Sequence, residues 1–152
     1  MKENTYSIEA MRREDIPEVL RLEREAFGQM AWHAEDFEAA IVSTCDFPLV
    51  IRAGTGSIGI AGYAVLRIIA PEAEIENICV VPACRRSGVG EALMEEMLRL
   101  TAERDAERIF LEVRAHNEPA KALYLKKGFI ESYRRKNYYQ GPTEDAIIMM
   151  KG

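Results

Sequence analysis

The sequence predicts a mixed α/β fold with an antiparallel N-terminal part of the sheet. Three observations predict it: strand-like segments in the middle of the chain, an amphipathic helix after them, and alternating strands and helices at the end. The 152 residues suit a single domain over 1–152, because no repeat or linker interrupts them. We expect one sheet of about seven strands, flanked by about four helices.

The N-terminal elements are predicted from local periodicity. Residues 6–11 alternate as a first strand does. A helix is expected from about Arg13, with Pro17 in its first turn, where the missing N–H costs little. A linker containing Trp32 then leads to a second helix over 34–43, which has apolar side chains on one face.

The rest of the chain predicts a meander followed by alternating elements. Strands are expected at 49–52, 58–69 and 74–81, with turns at 54–56 and around Pro71. Apolar residues at helical spacing predict the clearest helix over 88–103. The remaining expected elements are a strand over 108–113, a helix over 119–127 that stops at Gly128, and strands over 129–134 and 146–150.

Composition excludes several classes of protein. The net charge is −5 and no basic stripe is present, so nucleic acid is not expected as a partner. Cys45, Cys79 and Cys84 are irregularly spaced and far from His33 and His116, which argues against a disulfide framework and a zinc site. Without an apolar leader or a run of about 20 apolar residues, we expect a cytoplasmic protein and no membrane partner.

A glycine-containing turn, 80–90, joins a strand to the strongest helix. Gly88 and Gly90 allow backbone N–H groups to approach a ligand closely, and the helix start attracts anions. Arg85 and Arg86 add positive charge. A Rossmann fingerprint would need a third glycine, and a Walker A loop would need Gly-Lys-Ser/Thr. The turn therefore predicts a diphosphate ligand; the alternative is a glycine-rich helix start with two solvated arginines.

A second group of residues follows about 30 positions later. Leu111-Glu112-Val113-Arg114-Ala115-His116-Asn117 leads into a helix with Ala122-Leu123-Tyr124, and Lys127-Gly128-Phe129 comes next. With the Arg-x-x-Gly-x-Gly turn, this pattern resembles the GNAT acetyltransferase superfamily. In that family the first motif cradles the coenzyme A pyrophosphate, and an Asn-x-x-Ala-x-x-Leu-Tyr…Gly-Phe segment follows. Over nearly the whole chain the resemblance is to its ribosomal-protein alanine N-acetyltransferases.

The resemblance implies acetyl-CoA as co-substrate, no metal, and the N-terminus of a protein as acceptor, here a ribosomal protein that begins with alanine. It implies Glu112 as general base and Tyr124 as general acid. The residues that it implies for the cofactor are Ile78, Cys79, Val80, Arg85, Arg86, Ser87, Gly88, Val89, Gly90, Glu91, Asn117 and Tyr124. Those for the acceptor are Trp32, Tyr138 and Tyr139, with the two tyrosines in a loop that shapes the peptide site.

The amine chemistry favours an α-amine as acceptor. Its pKa is about 7.7–8.0, against about 10.4 for lysine, so deprotonation at pH 7 costs roughly 1 kcal/mol rather than about 4.6 kcal/mol. One carboxylate is a sufficient base to deprotonate an α-amine. A lysine or small-molecule amine acetyltransferase of the same fold, and a non-catalytic acyl-CoA-binding sensor, remain as alternatives.

Each candidate residue also has a purely structural interpretation. Glu112 could pair with Arg114 or another cation, and Tyr124 could be a core aromatic residue. Asn117 could cap the following helix, which is compatible with a cofactor contact. The tyrosine pair at 138–139 could be ordinary aromatic residues at a strand end.

Overall fold

A seven-stranded mixed sheet forms the centre of the computed structural model, which describes residues 6–53 and 59–152. The strands are β1 (Tyr6–Ala10), β2 (Asp46–Ala53), β3 (Ile60–Ile69), β4 (Glu72–Val80), β5 (Arg108–Arg114), β6 (Ile130–Tyr139) and β7 (Glu144–Lys151). The α-helices are α1 (Ile16–Phe27), α2 (Ala34–Val42), α3 (Val89–Glu103) and α4 (Glu118–Lys126). Short 3-10 turns occupy Arg13–Asp15, Gly28–Met30 and Pro82–Cys84.

The sheet has the order β1-β2-β3-β4-β5-β7-β6. All neighbouring strands are antiparallel except β4 and β5, which run parallel. This confirms the predicted fold class and the predicted order of elements, including the β2–β3–β4 meander. Within 6–53 and 59–152, no helix is long and apolar enough to cross a membrane.

Several predicted boundaries were wrong. β4 begins at Glu72 rather than 74, because its exposed glutamates alternate with buried Ala73 and Ile75 as in a strand with one face covered. β2 begins at Asp46, three residues before the expected start, and the turn expected at 54–56 lies outside the described residues. β6 continues to Tyr139, five residues past the predicted end.

Helices cover both faces of the sheet. α3 buries Val89, Leu93 and Met97, members of the predicted stripe, against one face. α1 and α2 bury Val19 and Phe37, among others, against the other face. Removing such side chains from water contributes roughly 1.5–3 kcal/mol each, which explains why the helical spacing of apolar residues predicted these elements well.

A β-bulge at Glu76 reverses which side chains of β4 point to each face of the sheet. The register with β3 skips this residue. Before it, Ala73 and Ile75 join the core on the α3 side; after it, Asn77 and Cys79 face α1 and α2. A single extra residue has this effect because side chains along a strand alternate with a period of two.

Candidate active site

The candidate site lies where β4 and β5 separate. Their pairing runs from Glu72 and Arg108 to Ile75 and Leu111, and both strands continue beyond it. Past that point β4 remains paired with β3 alone. An opening between two parallel strands exposes backbone N–H and C=O groups to a ligand, since strand pairing no longer uses them.

The hydrogen-bond pattern of β4 shows which backbone groups face this opening. The N–H of Val81 donates to the carbonyl of Ala61 at 2.9 Å, beside the Val80–Gly62 pair. In an antiparallel ladder this makes Val80 a non-hydrogen-bonded position, whose N–H points away from β3 and towards β5. By the same alternation the backbone N–H of Ile78 points into the opening, whereas the backbone of Cys79 forms hydrogen bonds with β3.

The turn predicted to bind a diphosphate, 80–90, places a solvent-accessible helix start beside the opening. Gly88 is the N-cap of α3 with φ +86°, and Arg86 also has a positive φ, +64°. Such values are uncommon outside glycine and turn the chain sharply. The hydroxyl of Tyr6 donates to the carbonyl of Ser87, whose own hydroxyl donates to the carbonyl of Cys84. The sequence assigned Tyr6 only to a strand and carried no signal of this support.

The predicted cofactor residues of the turn differ in what they can offer. Arg85 and Arg86 are exposed, so their guanidinium groups can reach an anion. The carboxylate of Glu91 pairs with Lys126 and lies 3.8 Å from Nζ of Lys127, and Lys126 lowers the pKa of Glu91. Because that side chain already links α3 to α4, only the backbone N–H of Glu91 suits an anion. Val89 is buried and likewise offers its backbone.

Gly62 allows α3 to approach the sheet. A Cβ there would lie 2.8 Å from the carbonyl oxygen of Cys79 and 3.0 Å from Cγ1 of Val89. Both neighbours are among the residues predicted to bind the cofactor: Cys79 is on β4, and Val89 begins α3. The absent side chain therefore brings the helix start close to the opening between the strands.

Gly62→Ala should lower the free energy of unfolding by about 1–3 kcal/mol, since the backbone carbonyl cannot easily move. It should also weaken acetyl-CoA binding, because α3 must shift outwards. Thermal unfolding and calorimetric titration measure the two effects. Gly90→Ala is the control for stability, because its new Cβ meets the flexible end of Leu123 at 3.2 Å. Equal losses of stability in both variants would contradict this explanation.

Glu112 is the first residue of β5 past its last pair with β4. Leu111 and Val113 face the α3 side, so Glu112 points to the α1/α2 side. The hydroxyl of Tyr139 donates to its Oε2 at 3.1 Å, and Nη1 of Arg135 lies 3.9 Å from Oε1. Burial, followed by the charge of Glu112, raises the pKa of Tyr139, which keeps this hydroxyl a donor. The carboxylate remains partly exposed and is oriented by a hydrogen bond.

Arg114 is not the partner of Glu112. Its guanidinium pairs with Glu144 at 3.1 Å and lies over the ring of Tyr139, 4.1 Å from the centroid. Arg114 thus holds the aromatic ring that orients Glu112. The structural alternative for Glu112 was an ion pair with Arg114 or another cation. The structure shows no pair with Arg114, but it shows the longer contact with Arg135.

Tyr124 lies in the core at 5% exposure, with its ring centroid 6.2 Å from that of Phe129. Its hydroxyl makes no hydrogen bond to any described residue, yet no fully buried side-chain polar atom in that set lacks a partner. The hydroxyl must therefore retain contact with solvent. Burial raises the pKa of Tyr124 to about 12, so at neutral pH this group is a protonated donor without a protein acceptor.

Asn117 caps α4. Its Oδ1 accepts a hydrogen bond from the N–H of Ala120 at 3.2 Å, as the structural interpretation expected. The residue is exposed, so the amide nitrogen remains available to a ligand.

The acceptor residues were predicted in a loop, and for the two tyrosines this was wrong. Tyr138 and Tyr139 end β6, and Tyr139 pairs with Glu144 of β7. Their rings are perpendicular, with centroids 5.2 Å apart. Cross-strand pairing extends the strand this far, which local sequence could not show. Trp32 lies elsewhere, in the link between α1 and α2, with its ring 5.1 Å from that of Phe37.

A cavity of about 390 Å³ lies beside Trp32 on the α1/α2 side, the side that Glu112 also faces. Its lining consists of Trp32, Asp36, Ala39, Ala40, Asp46, Arg67 and Glu76. Sequence reasoning missed Glu76, because nothing in 74–81 signals the bulge that places it here. Burial, and then the neighbouring Asp46, raises the pKa of Glu76 to about 7. Arg67 acts in the opposite direction and pairs with Asp46 at 2.9 Å.

The raised pKa of Glu76 makes stability depend on pH. The folded state holds this proton more tightly than the unfolded state, so the contribution is complete below about pH 4.5 and is lost as pH rises through about 7. Glu76→Gln should therefore gain about 1 kcal/mol over the wild type at pH 8, after allowance for solvent screening, or about 2–4 °C in Tm. At pH 4.5 the gain should vanish. Glu38→Gln, at an exposed position of α2 that does not contribute to this shift, is the control, and a gain independent of pH would contradict the assignment.

Among the described residues, no group of three or more His, Cys, Asp or Glu side chains is arranged to hold a metal ion. Glu112 lies on β5 just past its pairing with β4, and the backbone N–H of Val80 points into the same opening. Tyr124 lies on α4, and its hydroxyl has no acceptor among the described residues. The predicted anion site, the start of α3, follows β4 in the chain.

The chain is similar in sequence and in fold to known proteins. The family described as Acetyltransferase (GNAT) family matches residues 11–129. A Bacillus subtilis protein with the provisional name [ribosomal protein bS18]-alanine N-acetyltransferase is 35% identical over 143 residues, covering 94% of this chain and 93% of that protein. The Escherichia coli K12 [ribosomal protein bS18]-alanine N-acetyltransferase is 43% identical over 93 residues, 59% of this chain and 62% of that protein. The crystal structure of the ribosomal-protein-S18-alanine N-acetyltransferase from Escherichia coli superimposes with a TM-score of 0.84 at 30% identity, covering 97% of this chain and 93% of that one.

Proposed function

This chain belongs to the GNAT family of acetyl-CoA-dependent N-acetyltransferases, and we propose that its acceptor is the N-terminal α-amine of a ribosomal protein that begins with alanine. The observation that carries the proposal is Glu112, oriented by Tyr139 at 3.1 Å where β4 and β5 separate. The activities for which these relatives are named support the choice of acceptor. Acetyl would pass directly from the thioester to the amine.

Glu112 takes the role of general base. An α-amine reaches the site largely protonated at pH 7 and must lose one proton, at a cost of roughly 1 kcal/mol. A single carboxylate, which acts directly or through one water molecule, is a sufficient base to accept this proton. The hydrogen bond from Tyr139 fixes Oε2, and Oε1, which lies 3.9 Å from Nη1 of Arg135, is the oxygen that accepts the proton. Partial exposure of the side chain lets a peptide terminus reach it.

Val80 and Tyr124 act on the thioester. When the amine attacks the carbonyl carbon, negative charge develops on the carbonyl oxygen, and the N–H of Val80 is directed into the opening where it can stabilise that charge. The carbon–sulfur bond then breaks and the sulfur needs a proton. Tyr124 has a protonated hydroxyl with no other described acceptor, so it can donate to this leaving group.

The remainder of coenzyme A would be bound by backbone and arginine side chains. Ile78 and Val80 present their backbone to the pantetheine arm. The helix start at Gly88, together with exposed Arg85 and Arg86, suits a diphosphate. Asn117 has an amide group available near the start of α4. Trp32 and the tyrosine pair would bound the acceptor side.

A peptide panel tests the acceptor. The wild-type protein is incubated with acetyl-CoA and peptides that begin with alanine, serine, glycine or methionine, with a lysine-containing peptide blocked at its N-terminus, and with polyamines. Mass spectrometry should locate one acetyl group on the α-amine of the alanine peptide. Acetylation of the lysine or polyamine alone would refute the proposal in favour of another amine acetyltransferase. Binding of acetyl-CoA with no turnover would indicate a sensor.

A further inference from the structure

Glu23 of α1 is the most deeply buried charged residue described, with 1% of its surface exposed. Within the described chain no cationic side chain forms an ion pair with it, whereas buried Asp15 pairs with Arg52. A buried carboxylate without a cation is costly and is tolerated only when hydrogen bonds satisfy it. A leucine would fill this space at lower cost, so packing alone does not explain Glu23.

Three donors from three separate elements satisfy the carboxylate. Oε1 accepts from the hydroxyl of Tyr63 on β3 at 2.7 Å and from Nδ2 of Asn77 on β4 at 3.0 Å. Oε2 accepts from the backbone N–H of Trp32 at 2.9 Å. Burial raises the pKa of Tyr63, so its hydroxyl remains a donor. Glu23 therefore ties the α1–α2 link to two central strands.

The indole ring of Trp32 is also connected to the Glu23 hydrogen-bond network. Its ring packs on Phe37 at 5.1 Å, and Phe37 packs on Tyr63 at 6.1 Å, so backbone and side chain both lead back to the Glu23 network. Asn77, the third donor, immediately precedes the Ile78–Val80 segment of the opening. The network thus spans from the wall of the cavity beside Trp32 to the strand proposed to hold the cofactor.

We propose that Glu23 is a positioning residue that holds Trp32, at the edge of the acceptor site, against β4. It touches neither substrate and acts through the Trp32 backbone. The acceptor role rests on the proposed function, whereas the attachment of Trp32 does not. Loss of Glu23 should therefore weaken the use of the acceptor and leave acetyl-CoA binding nearly intact.

Glu23→Gln tests this with little change in volume. The amide oxygen can still accept from Tyr63 and Asn77, but its NH₂ group would then face the N–H of Trp32, donor against donor. KM for the acceptor peptide should rise about tenfold, as expected for loss of one buried hydrogen bond to a charged group. The Kd of acetyl-CoA should change by less than about twofold. Asp15→Asn is the matched control: it removes another buried carboxylate with no link to Trp32, and should lower Tm without raising KM.

A double-variant cycle separates positioning from general destabilisation. If Glu23 acts through Trp32, Trp32→Ala raises the same KM, and adding Glu23→Gln raises it no further. The proposal would be overturned if the double variant raised KM by the product of the two single effects. It would also be overturned if a higher KM came with equally weakened acetyl-CoA binding and a lower Tm. If Glu23→Gln fails to fold, Tyr63→Phe removes one donor from the same carboxylate, and about a two- to threefold rise in KM is expected.

Fluorescence gives a readout that does not require the acceptor. Trp32 is the single tryptophan of the chain, so intrinsic emission reports its environment alone. Glu23→Gln should shift the emission to longer wavelength and increase quenching by acrylamide at temperatures where the variant is folded, while Asp15→Asn leaves both unchanged. Unchanged emission in Glu23→Gln would overturn the proposal. Wild-type inactivity on every peptide would instead refute the proposed function, and the fluorescence result would still decide whether Glu23 holds Trp32.

Discussion

Glu112→Gln should lower kcat for the alanine peptide by about 100- to 10,000-fold, the usual contribution of a general base. The variant keeps the shape of the side chain and an oxygen that can accept from Tyr139, so Tm and the Kd of acetyl-CoA should be nearly unchanged. Initial rates at saturating substrates, with calorimetric titration of acetyl-CoA, measure the two quantities. Glu131→Gln is the matched control, because the carboxylate of this exposed β6 glutamate lies 3.7 Å from Arg134 and forms no hydrogen bond with Tyr139.

The pH profile of Glu112→Gln provides a sharper test than its rate at one pH. Without the base, only the fraction of α-amine already deprotonated can react. The rate of the variant should therefore rise about tenfold per pH unit below the amine pKa of about 7.7–8.0 and level off above it. The wild-type rate should vary less steeply. If the variant kept at least half of the wild-type kcat, another group would have to be the base.

Tyr124→Phe should lower kcat by about 100- to 10,000-fold, since the leaving thiolate would have no proton donor. Removal of a buried hydroxyl usually destabilises a protein, because a partner loses its hydrogen bond. Here the hydroxyl has no described partner, so Tm should stay within about 2–4 °C of the wild type, the change expected for 1 kcal/mol. The comparison of kcat with Tm separates a chemical role from the core-packing alternative.

The control for Tyr124→Phe is Tyr133→Phe, which removes the hydroxyl of an exposed tyrosine on β6. Its kcat should equal that of the wild type. A fall in kcat for Tyr124→Phe that was matched by weaker acetyl-CoA binding would assign the hydroxyl to cofactor binding instead. Full activity in Tyr124→Phe would remove it from the mechanism altogether.

The elements that sequence alone predicted correctly are those whose signals are local. The stripe Val89, Leu93, Met97 and Leu100 specifies α3 because helical geometry places these side chains on one face. Gly128 adopts φ +95° just after α4, as a glycine that ends a helix does. The turn at 85–90 was predicted to be an anion site from signals of the same local kind, a helix start and its glycines, and it stays a prediction.

Other features depend on contacts between distant residues and could not be predicted. The bulge at Glu76 arises from the register between β3 and β4, and it alone decides that Asn77 faces Glu23. The hydrogen bond from Tyr139 to Glu112 joins two residues that are 27 positions apart in the chain. The length of β6 depends on its pairing with β7. No pattern within either segment encodes such a partner.

The sequence by itself determined the family and the order of strands and helices, and it singled out the turn at 85–90, Glu112 and Tyr124 as candidates. Only the tertiary structure decided which groups surround them: the direction of the Val80 N–H, the free hydroxyl of Tyr124, the tyrosine that orients Glu112 and the attachment of Trp32 to Glu23. The physical reason is that helix periodicity and caps depend on residues a few positions apart. Strand register, burial and hydrogen bonding depend on the packing of the whole sheet.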